Sequence, residues 1–154
     1  MAAGTFTIYS KNNDILDIGE LAGATLKMAL CTSSYTPDAS VTGNYLYSNI
    51  TNELSTANGY TAGGSTLTTV ASTAITKGYK LTSDNVSWTA SGGSIPAWRY
   101  GVLYVSGTFN GKVNPLIGYF LGDSTPADVP ATTTGTPLTV TCPSGGWFDD
   151  TSSP

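Results

Sequence analysis

Short apolar or alternating runs, each closed by Gly, Pro, Asn or Asp, recur about every ten residues along the second half of this chain. Runs at Thr66 to Ile75, Gly78 to Leu81, Asn85 to Ala90, Arg99 to Val105, Asn114 to Leu121 and Pro137 to Cys142 are too short for helices and too often interrupted. The spacing predicts an all-β sandwich or barrel. Arg99 to Val105 reads as the clearest buried strand, and Asn114 to Leu121 as its hairpin partner across the turn at Gly107 to Gly111. Thr25 to Thr32 reads as a central strand, stopped at Pro37-Asp38. Gly63-Gly64 is read as a sharp corner feeding Ser65 to Leu67 into a sheet, because glycine tolerates backbone angles that a side chain forbids. The corner leads into Ser, Thr and Leu rather than a lysine-bearing helix, so this is not a phosphate loop. Ser40 to Ala57 reads as a long ordered loop, and Lys11 to Leu21 as a loop with one helical turn.

The organisation expected is one domain: an N-terminal arm with a first strand and loop over 1–24, a sandwich over 25–142 and a C-terminal tail over 143–154. Its 154 residues are long enough to bury a core without metal or disulfide. Only 10% of residues are charged, so the solvated surface must be built largely from hydroxyls, amides and backbone. Ser and Thr supply roughly a quarter of the chain, and Thr favours strands. The net charge of -4 and six scattered cations argue against a nucleic-acid partner, and no apolar stretch is long enough for a membrane helix. The N-terminus has neither the basic nor the apolar region of a secretory signal, so folding in a cytoplasm is expected and the sequons at Asn49 and Asn85 are read as chance.

The chain has no histidine, which removes the commonest general base and the usual activation of Ser or Cys nucleophiles. Asp14, Asp17 and Glu20, or Asp149 with Asp150, are the only close acid sets, and neither has calcium-loop spacing. They read as solvated loop acids. Cys31 and Cys142 lack companion ligands for zinc and read as free thiols, with a disulfide depending on an approach that spacing does not reveal. No catalytic residue, cofactor or metal ligand is assigned, and the chain is expected not to be an enzyme.

Five blocks in one order, TLKMALCTSSYTPD (25–38), GYTAGGSTL (59–67), VSWTA (86–90), RYGVLYV (99–105) and PLIGYFLGD (115–123), resemble small tailed-phage virion proteins of the capsid cement or decoration type. That resemblance implies a jelly-roll-like β-sandwich without catalysis. It also implies a place on the capsid exterior of a virion assembled in a bacterial cytoplasm. The partners it implies are the major capsid protein and the chain itself, as a homo-dimer or homo-trimer. The alternative reading is a carbohydrate- or receptor-binding sandwich of a tail tip or fibre, with Trp98, Tyr100 or Trp147 stacking on sugars.

Aromatic residues carry the expected partner contacts. Trp147-Phe148 lies in a glycine-flanked tail where two large rings are costly to leave in water, so burial on a neighbouring subunit is expected. Thr5 to Tyr9, with Phe6, Ile8 and Tyr9, suits an arm that adds a strand to another subunit's sheet. Trp98, between Pro96 and Arg99, either caps the sandwich or stacks at an interface, whereas Trp88 reads as core. Removing residues 143 to 154 is expected to leave the sandwich folded and to weaken shell binding.

Overall fold

A computed structural model describes residues 4–123, 125 and 127–150, so residues 1–3 of the expected arm and 151–154 of the tail lie outside the described residues. In chain order the elements are β1 (Thr7–Ile8), a 3-10 turn (Ser10–Ile15), α1 (Ile18–Ala22), β2 (Leu26–Cys31), a second 3-10 turn (Tyr47–Asn49), β3 (Ser65–Thr66), β4 (Ala71–Ile75), β5 (Gly78–Thr82), β6 (Val86–Thr89), β7 (Tyr100–Val105), β8 (Thr108–Phe109), β9 (Lys112–Val113), β10 (Leu116–Leu121), β11 (Pro137–Val140) and β12 (Phe148–Asp149). Every strand pair is antiparallel. The protein is all-β and sandwich-like.

The main sheet runs β1-β10-β7-β2-β3, and the smaller sheets β12-β5-β4 and β11-β6 supply its opposing layer. The expected hairpin forms between β7 and β10, with the short β8-β9 ribbon as its tip. The jelly-roll order that the resemblance implies is not established by these pairings.

The near-continuous apolar runs of β2 and β7 have a direct cause: their sheet is covered on both faces. On one face Leu26, Met28, Leu30, Leu103 and Val105 meet Leu81, Val86, Trp88, Leu138 and Val140. On the other, Ala29, Cys31, Val102, Tyr104 and Leu116 meet Tyr9 and Tyr35, with Ala39 and, from the long loop, Tyr47 and Ile50 packed over them. A bulge in β10 between Leu116 and Gly118 sends Leu116 to one core and Ile117 to the other.

Glycine is required where layers approach most closely. Gly64 has φ +76, and a Cβ there would run into the Met28 carbonyl, so the expected corner is confirmed with a packing reason added. At Gly101 a Cβ would strike the ring of Phe120. The helical turn expected before Leu21 is α1, started by Asp17, whose carboxylate accepts from the Glu20 N–H at 3.1 Å. Its Ile18 and Leu21 are buried in the main core.

Both expected arms belong to the fold. β1 is the edge strand of the main sheet, pairing Thr7 with Tyr119 and Ile8 with Gly118, and the Gly4 N–H continues that edge to the Leu121 carbonyl at 3.1 Å. β12 pairs Phe148 with Leu81 and Asp149 with Lys80. Each arm therefore adds an edge strand to its own chain's sheet, where the sequence suggests an edge on a neighbour.

Candidate functional site

The second face of the main sheet concentrates the chain's unusual chemistry. Tyr9, Tyr35, Tyr47, Tyr100, Tyr104 and Tyr119 all lie on it, in or against one cluster. Tyr9 and Tyr35 are joined through their hydroxyls at 2.7 Å. The Tyr119 ring stands 5.6 Å from Tyr9 and 6.0 Å from Tyr100, Tyr100 meets Tyr35 edge-on at 5.8 Å, and Tyr47 stacks on Tyr104 at 4.7 Å. Edge-to-face and offset rings add cohesion beyond burial. Tyr100 and Tyr119 are half-buried at the outer rim of this layer, and Tyr119 lines a shallow cleft with Gly4, Thr5, Thr7 and Leu121.

Glu53 pins the long loop over this face. One carboxylate oxygen accepts from the Tyr60 hydroxyl at 2.7 Å and the Gly63 N–H at 2.6 Å, and the other accepts from the Tyr47 hydroxyl. Tyr60 in turn accepts from the Leu30 N–H at 2.9 Å, and Tyr104 donates to the Gly63 carbonyl at 2.6 Å. Loop and strand are thus tied through one partly buried anion whose two oxygens are both engaged. Burial pushes the hydroxyls of Tyr9, Tyr47 and Tyr60 well above the ordinary tyrosine range, and the Glu53 charge adds to the last two. Burial also raises Tyr35 and Tyr104 to about 12. The Cys31 thiol is likewise pushed up, by burial first and Glu53 second, which keeps it protonated and unreactive.

The residues expected to meet partners are drawn together, but inward. Trp98 is 1% exposed and meets Phe120 edge-on at 6.4 Å, so it is core, with its backbone bridged to Val129. Trp147 is 2% exposed, stacks 6.0 Å from Phe120 and donates its indole N–H to Ser83 Oγ at 3.0 Å. It therefore packs on its own domain and not on a neighbour, because Gly146, at φ +77, turns the chain back beside β5. Tyr9 is fully buried. Phe6 and Phe148 stack on each other at 5.8 Å and 12°, joining the two terminal strands, and together with Ile8 they keep part of their surface.

The candidate acids separate. Asp14 pairs with Lys112 at 2.6 Å, which holds its carboxyl below the usual range, while Asp17 caps α1 and Glu20 accepts from Asn110 at 3.1 Å. Asp150 accepts from the Tyr79 N–H. Cys31 and Cys142 are both free. Glu53, Tyr47 and Tyr104 were not singled out by sequence reasoning. One signal was present: Glu53 is the lone acid between Asp38 and Asp84, in a loop rich in tyrosine. No known protein family, curated protein or solved structure matches this chain.

Proposed function

We propose that this is a non-enzymatic structural protein of a tailed-phage virion, a capsid cement or decoration subunit. It binds the outer surface of the major capsid protein shell and bridges neighbouring capsid subunits. The observation that carries the reading is the division of labour between core and surface. The rings of Trp88, Trp98, Trp147 and Tyr9 are spent on internal cohesion. The exterior, 7168 Å² in area, is left charge-poor and rich in hydroxyls and backbone. Such a surface adheres through many uncharged contacts. Two or three standard contacts of about 800 Å² each would occupy roughly a quarter to a third of it. Because binding favours only the assembled shell, many modest contacts raise its resistance to heat and internal pressure together.

The test is co-sedimentation of the purified chain with empty shells, followed by cryo-electron microscopy of the decorated particle. Saturable binding at fixed shell sites, with a raised shell melting temperature, is the expected result. Absence of binding to any shell would reject it. The half-buried Tyr119 in its threonine-lined cleft favours a second reading, a glycan-binding tail-tip or fibre module. Binding to a glycan array that is lost in Tyr119→Ala would select that reading.

A further inference from the structure

The β4-β5 hairpin closes on the two-residue turn Thr76-Lys77, with Ile75 opposite Gly78, Thr73 opposite Lys80 and Ala71 opposite Thr82. In an antiparallel ladder, bonded pairs alternate with unbonded ones, and the pair flanking a two-residue turn is bonded. The backbone polar groups of Ala71, Thr73 and Ile75 therefore face β5, whereas those of Ser72 and Ala74 face away. β5 obeys the same alternation on its far side, where the Tyr79 and Leu81 carbonyls accept from the Asp150 and Trp147 N–H groups at 3.0 and 2.8 Å. β4 is the end strand of its sheet, and among the described residues neither Ser72 nor Ala74 makes a backbone hydrogen bond to another element, so the outer edge of β4 is open. That edge, Ala71-Ser72-Thr73-Ala74-Ile75, has no charge, proline or bulge, the devices that keep edge strands apart.

We propose that this edge is a dimer interface, in which β4 pairs antiparallel with β4 of a second copy across a two-fold axis centred on Thr73. Ser72 of each chain then faces Ala74 of the other, and the outward N–H and C=O groups of both are satisfied. Charge complementarity selects a second copy as the occupant. Lys77, four residues after Thr73, is exposed and has no ion pair or hydrogen bond among the described residues. In this register it comes to the partner's Thr68–Thr69 corner, which begins four to five residues before Thr73. There the hydroxyls of Thr68 and Thr69 hold Asp84 Oδ2 at 3.0 and 2.6 Å, an exposed carboxylate without a cation among the described residues. The neutral edge thus carries a cation at one end and an anion at the other, and the two-fold axis matches both. The inference goes beyond the proposed function by giving the self-association that the resemblance implies a defined surface, and it is tested on the free chain so that its failure stays separate from failure to bind a shell.

Sedimentation equilibrium of the full chain up to about 0.5 mM should show a monomer-dimer equilibrium. Lys77→Glu and Asp84→Lys should each raise the dimer dissociation constant about tenfold or more, since each places like charges at both ends of the edge. An equimolar mixture of the two variants should recover wild-type association, because the heterodimer restores two opposite pairs. Ala74→Pro removes an outward N–H without touching the β4-β5 ladder and should abolish the dimer with an unchanged tryptophan spectrum. If Asp84→Lys fails to fold through loss of its threonine contacts, Lys77→Glu and Ala74→Pro decide. A monomer at every concentration, a trimer, a dimer indifferent to Lys77→Glu and Ala74→Pro, or no recovery on mixing folded variants would each overturn the proposal.

Discussion

Tyr9, Tyr35 and Tyr60 show how single residues set the chemistry of the second sheet face. Each is buried, and burial disfavours the phenolate. The folded pKa therefore lies above the ordinary value of 10.0, so these groups stabilise the native state fully below that pH, and the contribution is lost as pH rises. For Tyr35 and Tyr104 the loss falls between about 10 and about 12. Ultraviolet titration should show the buried tyrosines ionising only in a late, steep step that coincides with unfolding. A single smooth titration of all nine would contradict this packing. Glu53 acts at the same scale. Glu53→Gln removes the charge from three hydrogen bonds and leaves an amide N–H₂ facing donors, which should cost about 1–3 kcal/mol in urea unfolding. Hydrogen exchange should rise first in the loop over residues 44–63.

At the scale of elements, the terminal segments behave as strands of the sandwich. Trp147 fills the space against Phe120, and Phe148 closes on Phe6. Trp147→Ala should therefore cost about 3–5 kcal/mol, read as a shift in the denaturation midpoint with unchanged slope. Deletion of residues 143–154 should destabilise the fold, contrary to the sequence expectation, because it takes away β12 along with the ring. A truncated chain as stable as the full one would place the tail outside the core after all. Strand existence was legible for β2, β6, β7, β10 and β11, whose apolar pattern and flanking turn residues agree. β12 was not, and for β1, expected as the first strand of the N-terminal arm, nothing in Thr7-Ile8 says which sheet accepts it.

For the whole molecule, the proposed adhesion would rest on what is left outside. Exposed large hydrophobics among the described residues are Val41, Tyr79 and Val113, set apart from one another along the chain, so partners must meet hydroxyl, amide and backbone groups. Binding to a shell through such groups should be weakly salt-dependent. Co-sedimentation at about 0.05 and 0.5 M salt should differ little, and a steep salt dependence would point to a charged interface instead.

The order of apolar runs, their turn residues and the abundance of threonine were enough to determine an all-β chain with a central hairpin, since periodicity and turn chemistry are local properties. Which face each ring occupies was decided only by tertiary packing. The sheet is covered twice because a loop with one acid, Glu53, finds Tyr47, Tyr60 and the Gly63 N–H across residues set apart in sequence. Trp98 and Trp147, indistinguishable from interface rings when read along the chain, are core because Phe120 lies between them in space. Burial is a property of the assembled layers, and no window of sequence contains it.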